Sequence, residues 1–577
     1  MEQRCPLGAS GSDAVPQKSI IIKHENEAAE AASPLSPSFY RVNPSDNDRS
    51  ASAPAPSVLF VTYGWSETGG GTVYPRLVAL ELARRGYDVA VFYASLDNDP
   101  ACSPYLLTEW FDQNVHLFGL SNRPALFTDP DHPEREICDP QVVEHFCQVL
   151  DRISPDLVHF HNFHGLTFAM AEETHKRKIP SCFTPHNYHL IDPDLYLLKS
   201  GLEQWNGIDP FANSEAVARN PEKRAAYLQR VETARRLVNE WVTVTLAVSQ
   251  RQKELLSAYG VDSSRMVVLH QASPVADQLW NDPVLSAAVH RPVQLPLRIG
   301  FIGGVLPIKG VHVLVAAAQA FRNGQLKIHI HGFVQKNYLE QLIALDRNGM
   351  VTFHGGYSQE DLADIALNLD LAVLPSVVEE SAPTLVLSEL HAMRLPVIAA
   401  RIGGIPEFIT DEVDGLLYRH DDLEGLVAVL RKCVERPELI RKMRSNLVDT
   451  THTFGRYMAR LEKLYRLLLR DEVISAEACS LLASRRGQPG SESPGLPFVS
   501  WQGGLFVHHS LSLVNRELCL QLVGRGFDIS FTSTQPDEFS VAEDDRLKPL
   551  EGCRSKHLPA IDVTVRHQWP PDFSPAA

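Results

Sequence analysis

"SVLFVTYGWSETGGGTVYPRLVALELARRGYDVAVFYAS", Ser57 to Ser95, changes its hydrophobic period twice. SVLFVTYGW is an apolar run of strand length that ends in a glycine-rich loop, SETGGG. TVYPRLVALELARRG then places apolar residues at helical spacing and stops at Gly86. YDVAVFYAS returns to strand character. Parallel strands need a long crossover, and a helix supplies it, so strand, loop, helix and strand in this order predict a parallel α/β sheet. Gly69, Gly70 and Gly71 lack Cβ atoms and let backbone N–H groups approach a ligand, although a glycine triplet alone is usually just a loop.

The alternation continues on either side of an interruption. DLVHFHNFHG (156–165), IPSCFTPHNYH, TVTLAVS (243–249) and RMVVLHQAS read as strands, with LTFAMAEETHKRK and QRQKELLSAYG as helices between them. Ligands in such sheets bind beyond the carboxyl ends of strands, which is where His161, Asn162, His164, His186 and Asn187 fall. Residues 273–296 break the rhythm, and a fresh series starts at LRIGFIGGVLPIKGVHVLVAAAQAF (297–321). It runs through LKIHIHGF, VTFHGGY and LDLAVLPS to helices near 421–470. The expectation is two doubly wound, Rossmann-like domains, 57–290 and 291–472, facing a ligand cleft. Residues 1–56, rich in Ser, Pro and Ala, read as a disordered arm, and 473–497 as a linker. Residues 498–577 start the first domain again: Arg85-Gly86-Tyr87-Asp88-Val89 matches Arg525-Gly526-Phe527-Asp528-Ile529 at an offset of 440. This partial repeat is too short to build a two-layer core alone.

Bulk properties narrow the function. The chain has 577 residues, 54 of them basic and 70 acidic, for a formal charge of −16. That balance argues against a nucleic-acid partner, which needs a basic footprint. Nine cysteines without a C-x-x-C pair argue against a disulfide framework. The N-terminus shows no apolar signal segment, and no apolar run is long enough to span a bilayer, so a cytoplasmic location is expected. His159, His161, His164, His186 and His189 lack the spacing of a compact zinc site and have no Cys beside them, so no metal is expected.

Taken in order, the early glycine loop, DLVHFHNFHG, TPHNY, AVSQRQKELL, GFIGGVLPIKGVHVLVAA, FHGGYSQEDLADI, LAVLPS and LPVIAARIGGIPEFI resemble the family 4 retaining glycosyltransferases of the GT-B fold, over residues 57 to about 470. The C-terminal segment resembles the truncated start of a second such enzyme. The resemblance implies transfer of a sugar from a nucleoside-diphosphate sugar, with no other cofactor, to a glycan, lipid or small-molecule hydroxyl. It implies that Glu389 bonds the ribose, that Lys309 neutralises the leaving diphosphate, and that His186 lies near the sugar. Gly332 and Tyr357 would flank the base, and His161 and Asn162 would line the cleft with the glycine loop. The helix opening at Pro383, Thr384 and Leu385 would turn its N–H groups toward phosphate.

Two departures from the family pattern stand out. The family places seven residues between its two acids, but Glu380 and Glu389 are separated by eight, and Ser381 holds the register position; Glu379 and Glu380 both remain candidates for the first acid. Gly304 stands where the family carries a phosphate-binding Arg. These departures leave room for a weakened binding or scaffold protein, or for a GT-B enzyme of another class such as a sugar-nucleotide epimerase. Glu407 in GGIPEFI reads as structural. The basic run Arg431, Lys432, Arg436, Arg441, Lys442 and Arg444 reads as a solvated helix face, with weak peripheral membrane contact as the alternative.

Overall fold

β1 (Ser57–Tyr63) is buried from Val58 to Val61 on both faces, the pattern of a parallel strand covered on each side. α1 (Gly70–Arg84) crosses over to β2 (Asp88–Ala94), which pairs parallel to β1 from Ser57↔Asp88 to Tyr63↔Ala94. β3 (Leu106–Asp112), β4 (Val115–Ser121), β5 (Leu157–Phe160), β6 (Ser181–Phe183), β7 (Val244–Ala247) and β8 (Met266–Val268) complete an eight-stranded sheet of order β3-β4-β2-β1-β5-β6-β7-β8. α2 (Gln250–Ala258) joins β7 to β8, and α3 (Pro274–Trp280) follows. In the second sheet, β9 (Leu297–Ile302), α4 (Val311–Ala318), β10 (Leu326–His331), β11 (Val351–Gly355), β12 (Leu371–Leu374), α5 (Leu385–Ala392), β13 (Val397–Arg401) and β14 (Gly415–Arg419) follow in chain order. That sheet has six strands in the order β11-β10-β9-β12-β13-β14, all paired parallel. The strand order reverses beside β1 in the first sheet and beside β9 in the second, so each has a crevice at its switch point.

This computed structural model describes residues 56–66, 70–99, 101–125, 127–129, 131–192, 195–197, 215–382, 385–447 and 454–470, with discontinuous stretches between 499 and 566. The N-terminal arm, the linker, Gly69, Pro383 and Thr384 lie outside the described residues.

After β14 come α6 (Leu423–Glu435), α7 (Pro437–Asn446) and α8 (Phe454–Leu469). The sequence reading gave α8 to the second domain, but it packs on the first. Its stripe of Tyr457, Met458, Leu461, Leu464, Tyr465 and Leu468 shares a core with Val58, Phe60, Tyr74, Val78 and Leu82. The Tyr74 and Tyr457 rings meet edge to face at 5.3 Å. Periodicity shows that α8 has an apolar face, but not which sheet that face covers.

The basic run also divides. Arg444 turns inward, fully buried, and donates to the Asp370 carbonyl at 2.9 Å, while Lys432 on α6 pairs with Glu412. Its cations therefore do not share one solvated face.

The C-terminal segment forms β15 (Val499–Gly503), α9 (Ser510–Gly524), β16 (Ile529–Ser533) and β17 (Val563–Arg566). These strands pair parallel in the order β16-β15-β17, the same arrangement as β2-β1-β5. Among the described residues, no helix is long and apolar enough to cross a membrane.

Candidate functional site

The second sheet's switch point brings two loops together. Past β9 the chain makes a tight turn, Pro307–Lys309, and enters α4 through Gly310. Gly310 has φ +69°, and a Cβ there would lie 1.8 Å from the Pro375 carbonyl oxygen, so only glycine lets this turn rest on the loop after β12. The contact places Lys309 Nζ 2.7 Å from Glu380 Oε1, and Ser376 Oγ donates to the same oxygen at 2.8 Å.

The three residues of the irregular stretch each take a different partner. Glu379 crosses to the first lobe and accepts from Arg251 Nε at 2.6 Å. Glu380 stays in the second lobe with Lys309. Ser381 Oγ donates to the His186 carbonyl at 2.6 Å, and its own carbonyl accepts from Ser249 Oγ. Of the two candidate acids, Glu380 is the one beside Lys309. Gly304, at the family's Arg position, faces open space, and a Cβ there would meet no atom within 4 Å.

Glu389 lies on α5, and its Oε1 accepts from Ser273 Oγ, which also caps α3, at 2.7 Å. Burial pushes the Glu389 carboxyl above its usual range, and the Ser273 bond only partly offsets this. Tyr357 is half-buried nearby, its phenol pushed up to about 12 by burial and then by the Glu389 charge. Gly332 packs its backbone against Gly303, and Leu385, the first residue of α5, packs on the first lobe's core.

The first lobe supplies the facing wall. Gly70 and Gly71 open α1, and Asn162 Nδ2, just past β5, donates to the Gly71 carbonyl at 2.8 Å. His161 Nδ1 and His186 Nε2 share a hydrogen bond of 3.0 Å, and Gln271 Nε2 lies 3.2 Å from His186 Nδ1. Both ring nitrogens of His186 are thus engaged. Its carbonyl, facing Ser381, is the group turned toward the second lobe. Burial lowers the His186 ring to about 3. Behind it, His159 bonds Tyr465 Oη at 2.6 Å and Thr184 Oγ1 at 2.8 Å, and burial, then His186, lowers it to about 3. Glu407 accepts from the Gln250 and Arg251 backbone N–H groups at 2.9 and 2.8 Å and pairs with His270 at 2.7 Å, tying the lobes together. No group of three His, Cys, Asp or Glu side chains is disposed to hold a metal among the described residues.

Sequence reading did not single out Ser249, Arg251, Gln271 or Ser273. Ser249 and Ser273 do carry a signal, since each stands just before a helix; the Ser249 hydroxyl accepts from Gln252 N, and the Gln252 side chain accepts from Val248 N. The pattern marks a cap, not a contact with the other lobe.

Two doubly wound sheets facing one another, with a lysine and half-buried acids between them, define a GT-B type of transferase. Residues 296–436 match the family described as "Glycosyl transferases group 1", and residues 69–272 match "Glycosyl transferase 4-like domain". The chain belongs to the group 1 glycosyltransferases and carries out nucleotide-sugar glycosyl transfer. It is 26% identical over 411 residues to a D-inositol 3-phosphate glycosyltransferase of Mycobacterium sp. strain JLS, covering 68% of this chain and 83% of that one. A Streptomyces griseus protein of the same name is 27% identical over 253 residues, covering 39% of this chain and 53% of the relative, about half its length. In fold, the chain is similar to sucrose-phosphate synthase from Thermosynechococcus elongatus, at TM-score 0.54 and 18% identity, over 72% of this chain and all of that one. It is also similar to Anabaena HepE in complex with UDP, at TM-score 0.50 and 15% identity, over 71% of this chain and 99% of that one.

Proposed function

We propose that the protein is a retaining glycosyltransferase that uses Lys309, Glu380 and Glu389 to hold a nucleoside-diphosphate sugar and passes the sugar to an acceptor hydroxyl without a metal. The observation that carries this reading is the convergence of Lys309, Glu380 and Ser376 at the second sheet's switch point, with α5 opening beside them. The ammonium and the helix N-terminus supply positive charge where a leaving diphosphate develops negative charge. The diphosphate would compete with Glu380 for Lys309. Glu389, with Tyr357 beside it, would accept from ribose hydroxyls. The His186 carbonyl, which accepts from Ser381 Oγ at 2.6 Å, would lie near an oxocarbenium-like centre. In the reaction, the anomeric C–O bond to the phosphate breaks and the acceptor oxygen bonds the same carbon on the same face. The acceptor proton passes to the leaving phosphate oxygen.

The relatives' name makes D-inositol 3-phosphate the first acceptor to try, and the UDP complex makes UDP-sugars the first donors. A cytoplasmic setting fits the seven free thiols among the described residues. The test is donor binding and hydrolysis across UDP-, GDP- and ADP-sugars in chelator, for the wild type, Glu389→Ala and Lys309→Ala, with the product anomer read by NMR. One donor turning over with retention, and lost in both variants, is the expected result. No binding by the wild type would turn the site into a scaffold, and a metal requirement would remove Lys309's role.

A further inference from the structure

His186 lies in a loop whose three successive carbonyls, those of Pro185, His186 and Asn187, all accept hydrogen bonds from side chains. We infer that Gln252 is a positioning residue: by holding the Pro185 and Asn187 carbonyls, it turns the His186 carbonyl between them toward the second lobe. This rests on the proposed reading of that carbonyl as part of the donor site.

Gln252 is in the first turn of α2 and has no exposed surface. Its Nε2 donates to the Pro185 carbonyl at 3.1 Å and to the Asn187 carbonyl at 3.3 Å. Its Oε1 accepts from Val248 N at 3.0 Å. These partners decide which end of the amide is which, because a reversed amide would set its oxygen against two carbonyl oxygens and its NH2 against an N–H. Both N–H groups of the amide are used, and the His186 carbonyl accepts instead from Ser381 Oγ of the second lobe, at 2.6 Å.

Each carbonyl marks the direction of one rigid peptide plane. With the planes before and after it held, the middle plane, which carries the His186 carbonyl, keeps its direction. The contacts of His186 with His161 and Gln271 hold its ring, and side-chain torsions lie between that ring and the backbone. The helix that carries Gln252 is itself docked on the second lobe. Its Gln250 and Arg251 N–H groups donate to Glu407, and Ser249 Oγ donates to the Ser381 carbonyl. Gln252 therefore ties the His186 loop to a turn that shares a frame with the second sheet's loops.

Two substitutions on the full chain test the role. Gln252→Met keeps the volume and removes all three side-chain bonds, while the backbone N–H stays on Ser249 Oγ. Gln252→Glu keeps an oxygen for Val248 and can donate to at most one of the two carbonyls, and to neither when ionised. Hydrogen–deuterium exchange over residues 184–192 follows the loop whether or not any donor turns over. Its reporters are the Tyr188 N–H, bonded to the Leu195 carbonyl at 3.0 Å, and the His189 N–H, bonded to Asn187 Oδ1 at 3.0 Å. Exchange there should be several-fold faster in both variants and unchanged in β9 and β12, where it reports that the chain is folded. A loop that exchanges at the wild-type rate in both variants would overturn the inference. Kinetics with the donor found by the hydrolysis test should show kcat lowered by about tenfold or more in both. KM for donor should hardly move, because the carbonyl meets charge that develops only in the transition state. A loss in Gln252→Met with Gln252→Glu at the wild-type rate means that Gln252 serves Val248 and not the carbonyls, and sinks the idea. A rise in KM with kcat kept does the same. Faster loop exchange in the variants, with no donor consumed by the wild type, would overturn the transferase reading and leave the positioning of the loop standing.

Discussion

Glu389 and Lys309 sit in opposite electrostatic settings, and their substitutions should separate. Glu389 is half-buried, with its carboxyl raised by desolvation and one hydroxyl donor on it. Glu389→Gln keeps the shape and an acceptor but removes the charge that strengthens bonds from ribose hydroxyls; a charge-assisted bond contributes about 1.5–3 kcal/mol. Donor affinity by calorimetry should fall by roughly tenfold to a hundredfold, with kcat largely kept. On the proposed reading, Lys309→Ala should act on kcat, by roughly a hundredfold or more, because its charge would meet the diphosphate most strongly as it leaves. Steady-state kinetics separates the two patterns. A residue-scale pH effect comes from His159, whose ring is fully buried and lowered from 6.5 to about 3. The unfolded chain protonates this ring near 6.5 and the folded chain does not, so the unfolded state binds more protons and stability falls as pH drops below 6.5. The slope approaches about 1.4 kcal/mol per pH unit for each such ring. Urea denaturation at neutral and mildly acidic pH reads it, and a flat profile would mean that water reaches the ring. Glu389 and Lys309 were legible because their neighbours in sequence carry a family pattern. Arg251 was not, because its partner Glu379 is 128 positions away and nothing local marks the pair.

The elements followed the same logic of local against distant information. Strands β1, β2, β5, β9 and β12 were readable as short apolar runs because parallel strands covered on both faces cannot alternate. β3, by contrast, is an antiparallel edge strand with Trp110 and Phe111 exposed, and its sequence LLTEWFD has no buried face to announce it. α8 was readable as a helix but was assigned to the wrong sheet, since an apolar stripe says only that something must cover it. The structure supplies a sharper marker for where it docks: the hydroxyl of Tyr465 on α8 reaches His159 on β5, both buried. Tyr465→Phe keeps the ring and leaves His159 Nδ1 unpaired inside the first lobe. It should cost about 1–3 kcal/mol, seen as a lower denaturation midpoint with an unchanged slope. If α8 belonged to the second lobe alone, the substitution would be close to neutral.

At the scale of the whole molecule, α8 makes the two lobes one unit, because the chain leaves the first sheet at α3, builds the second, and returns to finish the first core. Each buried apolar side chain on α8 contributes about 1.5–3 kcal/mol, so Tyr457, Met458, Leu461, Leu464, Tyr465 and Leu468 together contribute an amount comparable to the roughly 5–15 kcal/mol by which a domain is ordinarily stable. A chain ended after Asn446 should therefore lose the first lobe's cooperative unfolding and with it donor turnover. The partial repeat stands differently. Its three strands reproduce β2-β1-β5, yet the counterparts of Tyr74 and Val78 at the same offset, Val514 and Leu518 on α9, are each 46% exposed, whereas the originals lie fully buried under α8. Among the described residues, no helix covers α9 as α8 covers α1. Among the described residues, the side chains placed around Lys309 and Glu389 come from before residue 470, so a chain ended after Arg470 should unfold cooperatively and consume donor at the full-chain rate. Calorimetry and a donor-hydrolysis assay on both shortened chains decide it. Loss of activity in the longer one would mean that the repeat reaches the catalytic lobes and completes a site that the first 470 residues only outline.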